Sequence, residues 1–173
     1  MARREVLEYP DPRLRLVSKP VTEFDDELAE LVSDLFDTMY AGNAIGLSAP
    51  QLNVQREVLV MDLSDDASAP QVFINPEILD SARPGFVEES CLSVPGVVKN
   101  VLRATRVRVR AQDSAGEFFE RDLVDMEAVC LQHEMDHLVG KVLADRLSAF
   151  RRWRLRRAAA RANPVVAGVS GSD

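Results

Sequence analysis

The sequence predicts an α+β fold in which small antiparallel sheets pack around a central buried helix, with a further helix at the C-terminus. Three observations support this class: an amphipathic helical segment comes first, strand-like segments follow without a helix between them, and two helical segments come last. This order lacks the regular strand and helix alternation of parallel α/β folds. With 173 residues, 46% of them hydrophobic, the chain can bury one ordinary core, so we expect a single domain over residues 1–162.

The first predicted element is an amphipathic helix in the segment FDDELAELVSDLFDTMY. Its apolar residues recur at helical spacing from Leu28 to Tyr40, which is typical of a helix that packs on a core through one face. Asp25 or Thr22 can cap its start. Short strands are expected next in REVLVMDL and QVFINPEIL, and RVRVRAQD with EFFERDLV around the turn SAG predicts an antiparallel hairpin.

Two helices are predicted in the last third of the chain. Residues from Met126 to Val139 are rich in apolar positions and indicate a buried helix. Residues 147–162, LSAFRRWRLRRAAARA, contain strong helix formers; Ser148 can cap this helix, and Phe150 with Trp153 can hold its first turn against the body. We expect residues 163–173 to be a disordered tail.

Charge is unevenly distributed along the chain, whose net charge is -7. Between Lys141 and Arg161 there are eight basic residues and one acidic residue, so this segment carries +7 and the remainder -14. The acidic body argues against DNA binding, whereas the basic helix can contact phosphates or can simply be a solvated surface. No apolar stretch approaches a membrane span, and the N-terminus has no apolar signal core, so we expect a cytoplasmic protein without a membrane partner.

Both histidines of the chain lie in the segment QHEMDHLVG. On a helix, four residues advance about 400°, so His133 and His137 project from the same face within about 6 Å of each other along the axis. One metal ion can be held by both, and Glu134 between them can act as a general base without being a ligand. The alternative is a pair of surface histidines that share an acidic helix.

A catalytic metal site needs a third protein ligand. The pattern of the metzincin proteases fails because Leu143 occupies the position of their next histidine, and downstream carboxylates are limited to Asp145 and Asp173. The two cysteines are too few for a disulfide framework and are expected to be reduced. Cys91 lies in the polar segment EESCLSVPG and is favoured as the ligand, whereas Cys130 in AVCLQH has the surroundings of a small core residue.

Three separated motifs, AIGLSAPQ, ESCLS and QHEMDHL, occur in the order found in the bacterial, metal-dependent peptide deformylases, which the chain resembles over most of residues 5–160. The resemblance implies a metal held by Cys91, His133 and His137, with water in the fourth position and Fe²⁺ as the native ion, for which Zn²⁺, Ni²⁺ or Co²⁺ can substitute. From the residues alone, two imidazoles and a thiolate suit Zn²⁺ and Fe²⁺ alike.

The reaction that the resemblance implies is hydrolysis of the N-formyl group from the N-terminal formylmethionine of newly made polypeptides. In such a reaction Glu134 moves the proton, while the Gln51 side-chain amide and the Leu92 backbone N–H stabilise the oxyanion. Gly46 would leave room for the peptide backbone, and the methionine pocket would include the apolar residues Ile45, Met126 and Val129, with His133 at its base. Ordinary core packing is the alternative role for these apolar residues.

The sequence departs from the family pattern at Ala44, Ser48, Ser90 and Leu102. Ser90 replaces the glycine before the cysteine ligand, and its β-carbon would distort the segment if the backbone required a positive φ there. Two alternatives stay open: a paralogue with another N-acyl substrate, and a non-catalytic metal-containing protein that binds the ribosome. The resemblance also implies that the basic C-terminal helix docks at the ribosome where nascent chains emerge; a solubilising role for this helix is the alternative.

Overall fold

An amphipathic helix, α1, spans Asp26–Ala41, in a computed structural model that describes residues 4–162. Asp25 is its N-cap, because the Asp25 side chain accepts a hydrogen bond from the Leu28 backbone N–H at 3.0 Å. The predicted apolar stripe is buried, and Leu35 and Met39 have no exposed surface. The helix therefore covers one side of the sheet through the face that the sequence pattern predicted.

The described strands form one antiparallel sheet of five strands in sequence order, so the predicted small sheets are joined into a single one. The strands are β1 (Gly46–Ser48), β2 (Val58–Met61), β3 (Gln71–Glu89), β4 (Lys99–Gln112) and β5 (Phe118–Val124). β2 and the β4–β5 hairpin lie where strands were predicted. Strand and helix content together confirm the α+β class.

β3 is much longer than the predicted strand, which ended at Leu79. It continues to Glu89 as the partner of β4, and the pairing passes through register shifts between Ile74 and Glu77 and between Ile78 and Asp80. Such irregular pairing bends a strand locally. The bend and the extra length carry the end of β3 to the central helix.

That central helix, α2, spans Asp125–Leu138 and packs on β1, β2, β4 and β5. Its residues Ala128 and Leu131 are fully buried together with Phe73 of β3 and Val109 of β4. The helix therefore lies inside the protein and has protein on several sides, as its apolar composition predicted. Its second half carries both histidines into the interior.

The C-terminal helix, α3, spans Ala149–Ala162 and has no buried residue. The Ser148 hydroxyl accepts a hydrogen bond from the Arg151 backbone N–H at 3.4 Å, which confirms the predicted cap. The expectation that Phe150 and Trp153 hold the helix to the body was wrong: they are 65% and 50% exposed and stack on each other with centroids 5.9 Å apart. The two rings therefore contact each other at the surface of the protein and are not buried against its body.

Contacts on another side attach α3 to the body. Leu155 packs against a buried apolar cluster that includes Leu7, Leu14 and Leu147. The Arg156 Nε donates a hydrogen bond to the Tyr9 hydroxyl at 2.9 Å. The predicted tail at 163–173 lies outside the described residues. No helix between residues 4 and 162 combines the length and the apolar character that a membrane span needs.

Candidate metal centre

Three side chains from two parts of the chain converge at the candidate metal centre. One possible ligand atom from each of Cys91, His133 and His137 lies within 4.8 Å of the others, and within the described residues no other group of this kind occurs. The Cys91 Sγ is 3.3 Å from the His137 Nε2, and the two imidazole rings have centroids 5.2 Å apart. Helical spacing brings the histidines together, and the segment after β3 adds the thiol.

Burial leaves these three groups with few partners other than one another. Cys91 is 9% exposed and His137 is 1% exposed, and the His133 side chain is 11% exposed. A thiol and two imidazoles placed together in a water-poor site are a donor set typical of Zn²⁺ or Fe²⁺ proteins. The residues present therefore fit a divalent metal ion.

A buried carboxylate fixes the orientation of one histidine ring. The Glu89 Oε2 lies 2.8 Å from the His133 Nδ1, which leaves the other ring nitrogen, Nε2, for a metal. The Arg103 Nε donates to the Glu89 Oε1 at 2.6 Å, and Arg103 also pairs with Asp136 at 2.8 Å. Metal-binding histidines are commonly held by a carboxylate in this way, which fixes the ring and its tautomer.

The charges of this cluster follow from its contacts. Burial alone would raise the pKa of Glu89, but hydrogen bonds from His133 and Arg103 outweigh it and lower the pKa to about 2. Burial and the nearby cations His133 and Arg103 lower the pKa of His137 to about 3, so its imidazole is neutral, the form that binds metals. Burial opposes protonation of His133, yet hydrogen bonds to Cys91 and Glu89 raise its pKa well above the usual range.

Glu134 lies beside the candidate metal ligands in a tight slot. It is 4% exposed, and its Oε2 has no hydrogen-bond partner among residues 4–162. Burial raises its pKa, an effect that the positive charge of His133 partly offsets. A β-carbon at Gly46 would come within 2.6 Å of the Cys130 Sγ and 2.9 Å of the Glu134 Oε1. The carboxylate thus has the burial and the free oxygen expected of a group that exchanges protons.

Two candidate oxyanion donors flank the cysteine. The Gln51 Oε1 accepts hydrogen bonds from the Ser48 backbone N–H and hydroxyl, each at 2.9 Å, which fixes the side-chain amide. Its Nε2 donates to the Ser93 hydroxyl at 3.1 Å and lies 3.7 Å from the Cys91 Sγ. Leu92 follows the cysteine directly, and its backbone N–H has no backbone acceptor within the part of the chain that the structure describes.

A cavity of about 580 Å³ is lined by two of the three candidate ligands, Cys91 and His133. It is lined by all the apolar residues predicted for the methionine pocket, Ile45, Met126 and Val129, and by Gly46. Ile45 and Met126 are 43% and 42% exposed, so they form an apolar rim, whereas Val129 is buried. Cys130 is buried in the core, as the sequence suggested, and it also lines the cavity.

The serine before Cys91 fits its position. Six described residues other than glycine have a positive φ, and Ser90 is not one of them. Its β-carbon therefore causes no backbone strain, and its side chain is exposed at the cavity.

Sequence reasoning did not identify Glu89, Arg103 or Ser93 as parts of the site. Glu89 could have been suspected because it lies two residues before Cys91 in the sequence. No sequence feature marked Arg103 as part of the site.

Comparisons with known proteins agree with the motifs. A family model described as polypeptide deformylase matches residues 3–153. The chain is 49% identical over 159 residues to a peptide deformylase of Hahella chejuensis, covering 91% of this chain and 94% of the relative. It is 51% identical over 158 residues to a peptide deformylase of Cellvibrio japonicus, covering 90% of this chain and 93% of the relative.

Solved structures give the same result. The crystal structure of a peptide deformylase from Legionella pneumophila matches with a TM-score of 0.87 and 42% identity, over 98% of this chain and 100% of that chain. A peptide deformylase from Ehrlichia chaffeensis in complex with actinonin matches with a TM-score of 0.88 and 34% identity, over 94% of this chain and 99% of that chain. Fold and sequence therefore agree along nearly the full length.

Proposed function

The chain belongs to the polypeptide deformylase family, and from this premise we propose that Cys91, His133 and His137 hold its catalytic metal ion. Members of the family are hydrolases that remove the formyl group from the N-terminal methionine of nascent peptides, and this is the activity of the chain. The observation that carries the site assignment is the approach of three ligand atoms to within 4.8 Å beside a buried carboxylate. Because the substrates are nascent chains, we propose the cytoplasm as the place where the protein acts.

A divalent cation at this site would supply Lewis acidity toward water and the formyl carbonyl. Glu134 accepts the proton that the attacking water loses and delivers it to the leaving amine, for which its free and buried Oε2 is suited. The Gln51 amide and the Leu92 N–H donate hydrogen bonds to the formyl oxygen as negative charge develops. These three groups act from fixed positions, so little reorganisation accompanies the reaction.

The cavity selects the substrate by shape. A formyl carbon carries only hydrogen on its far side, so a narrow site can admit it and exclude larger acyl groups. Ile45, Met126 and Val129 supply the apolar surface for the methionine side chain. Gly46 keeps the wall at Glu134 free of a side chain.

Ferrous iron is the ion that we propose for the native site, with Zn²⁺, Ni²⁺ or Co²⁺ able to replace it. The support is the donor set of one thiolate and two imidazoles, together with the likeness of the motifs to the family. Metal analysis of protein purified without oxygen is expected to find one equivalent of iron. Another metal in that preparation would contradict the assignment.

The activity is tested by formate release from formyl-Met-Ala-Ser. Acetyl-Met-Ala-Ser is the matched control, since it differs by one methyl group at the acyl carbon. We expect rapid release of formate, slow or no release of acetate, and loss of both in chelated protein. Equal hydrolysis of both peptides would instead favour the paralogue with another N-acyl substrate, and binding of metal without turnover would favour the non-catalytic alternative. Intact Glu134 and Gln51 support the deformylase.

The ribosome is the partner that we propose for the outer face of α3. Arg151, Arg154 and Arg161 are exposed and form no ion pair with residues 4–162. Arginine binds phosphates through paired hydrogen bonds, and release of counterions makes such binding steeply dependent on salt. These arginines are therefore available to ribosomal RNA.

Co-sedimentation with ribosomes at low salt tests this partner. Replacing the three arginines by glutamine keeps the helix propensity, and we expect it to abolish co-sedimentation while the tripeptide is still hydrolysed. Removal of all residues after Phe150 should have the same effect. A matched control neutralises an equal number of arginines on β4, namely Arg106, Arg108 and Arg110. Unchanged co-sedimentation of the α3 variant, or equal loss in both variants, would contradict specific docking through α3.

A further inference from the structure

A second cavity of about 950 Å³ lies between the N-terminal segment and α3, and we call it the downstream groove. One wall is formed by residues 4–11, and the opposite wall by Arg156, Ala159, Ala160 and Ala162 of α3. Thr38, Gly42 and Leu92 complete it. Gly42 and Leu92 also line the cavity at the metal centre, so the groove adjoins the active site.

The side chain of Leu92 lies at the boundary between the two cavities. A β-carbon at Gly42 would lie 2.8 Å from the Leu92 Cδ1, so the end of the leucine side chain lies directly against the glycine. Leu92 is half-buried, and no other side chain is interposed at this contact. A peptide that continued from one cavity into the other would cross the Leu92 side chain.

The N-terminal wall offers an unpaired backbone edge. The Leu7 N–H donates to the Gln51 carbonyl and the Tyr9 N–H to the Ser93 carbonyl, each at 2.8 Å. This alternation is that of an extended strand, in which the intervening backbone groups point to the other side. Within residues 4–162, the N–H groups of Val6 and Glu8 have no backbone acceptor. The Glu8 carbonyl already accepts a hydrogen bond from the Asp11 N–H at 2.9 Å, so the edge is open to a further strand through these two N–H groups.

The wall formed by α3 carries small side chains, which leave the groove open. Leu155 packs on the body, and Ala159 and Ala162 follow at helical spacing on the same side, where they line the groove. Their small side chains keep this wall flat. Arg156 is held by Tyr9, which fixes the helix against the N-terminal segment.

We propose that the downstream groove binds the extended backbone of the formylated polypeptide beyond its third residue, by strand addition along the edge at Val6 and Glu8. The inference rests on the proposed function, because it extends the same substrate outward from the metal centre. Nascent chains differ in sequence after the first methionine, so recognition through the main chain suits all of them. Of the charged side chains that line the groove, Arg4 pairs with Asp34 and Arg13 with Asp11. Glu5 and Glu8 form no ion pair within residues 4–162.

The kinetic test compares formyl-Met-Ala-Ser with a formylated decapeptide that begins with the same three residues. The quantity measured is the ratio of kcat/KM for the long peptide to kcat/KM for the short one. Glu8→Pro removes the N–H of the edge but not the bonds at Leu7 and Tyr9, and Glu8→Ala is the matched control that keeps the N–H. We expect Glu8→Pro to lower the ratio about fivefold through KM, as for one net hydrogen bond, and Glu8→Ala to leave it unchanged.

A second pair of variants tests the opposite wall independently of the edge. Ala159→Trp fills the groove, whereas Ala158→Trp adds the same side chain at an exposed position outside the groove. We expect only Ala159→Trp to lower the ratio. If Glu8→Pro does not fold, these two tryptophan variants still test whether the groove binds the peptide.

Binding without catalysis separates the groove from the proposed function. In ¹⁵N-labelled, zinc-loaded full-length protein, the unformylated decapeptide should shift the amide resonances of Val6 and Glu8, and Met-Ala-Ser should not. Shifts without any formate release would support the groove and contradict the deformylase activity. Formate release with a wild-type ratio near one, or with no shift at Val6 and Glu8, would overturn the groove. Equal loss in Glu8→Ala and Glu8→Pro would overturn recognition through the backbone.

Discussion

Replacing Gly46 by alanine tests the tight slot around Glu134. The added β-carbon would lie 2.6 Å from the Cys130 Sγ and 2.9 Å from the Glu134 Oε1. Ordinary contacts between such atoms are about 3.5–4.0 Å, so both neighbours must move by up to about 1 Å. The φ of Gly46 is not in the left-handed region, so the effect comes from these contacts and not from the backbone.

Displacement of Cys130 is expected to lower stability, and displacement of Glu134 is expected to lower the catalytic rate. Overpacking in the core costs about 1–3 kcal/mol of the free energy of unfolding. A displacement of about 1 Å at a catalytic group can lower the rate about 100-fold. For Gly46→Ala we therefore expect unchanged metal content, an unfolding free energy lower by about 1–3 kcal/mol and a kcat on formyl-Met-Ala-Ser about 100-fold lower.

A double variant separates the two contacts. Gly46→Ala with Cys130→Ala removes the sulfur but keeps the approach to Glu134, and Cys130→Ala alone is the control. We expect the double variant to regain most of the lost stability, measured by urea unfolding, and only part of the lost kcat. Wild-type stability and kcat in Gly46→Ala would refute the reasoning, because the slot would then have room for the methyl group.

Three further variants test the assigned roles. Cys91→Ala should remove tight metal binding, measured as metal per protein after dialysis, and one retained equivalent with unchanged affinity would contradict the ligand assignment. Glu134→Gln should keep the metal but lose several orders of magnitude in kcat, and substantial residual turnover would exclude it as the base. Glu89→Gln should weaken metal binding about 10–100-fold, because the His133 ring loses its anionic partner. An unchanged metal dissociation constant would show that Glu89 does not position the ring.

The local parts of the fold were predictable from the sequence. α1, β2, the hairpin of β4 with β5, and α2 lie where periodicity and turn residues placed them. Each of these patterns reflects contacts between near neighbours in the chain. The second half of β3 was missed because many of its residues are exposed on both faces, so it shows no clear alternation.

Aromatic residues in α3 show the limit of the same reasoning. Phe150 and Trp153 suggested docking on the body, and they stack on each other in the open instead. A helical pattern specifies which residues share a face, but the position of the body decides which face is covered. Leu155 and Arg156 face it here.

The sequence by itself determined the chemical groups and the spacing of His133 and His137, because helix geometry is local. It also carried the motifs that mark Cys91 and Gln51. Only the tertiary structure decided how these groups meet. It placed Glu89 on the His133 ring, Arg103 on Glu89, and the free edge of the N-terminal segment beside α3. The reason is physical: these contacts join residues 14 to more than 140 positions apart, and no short-range periodicity encodes such pairs.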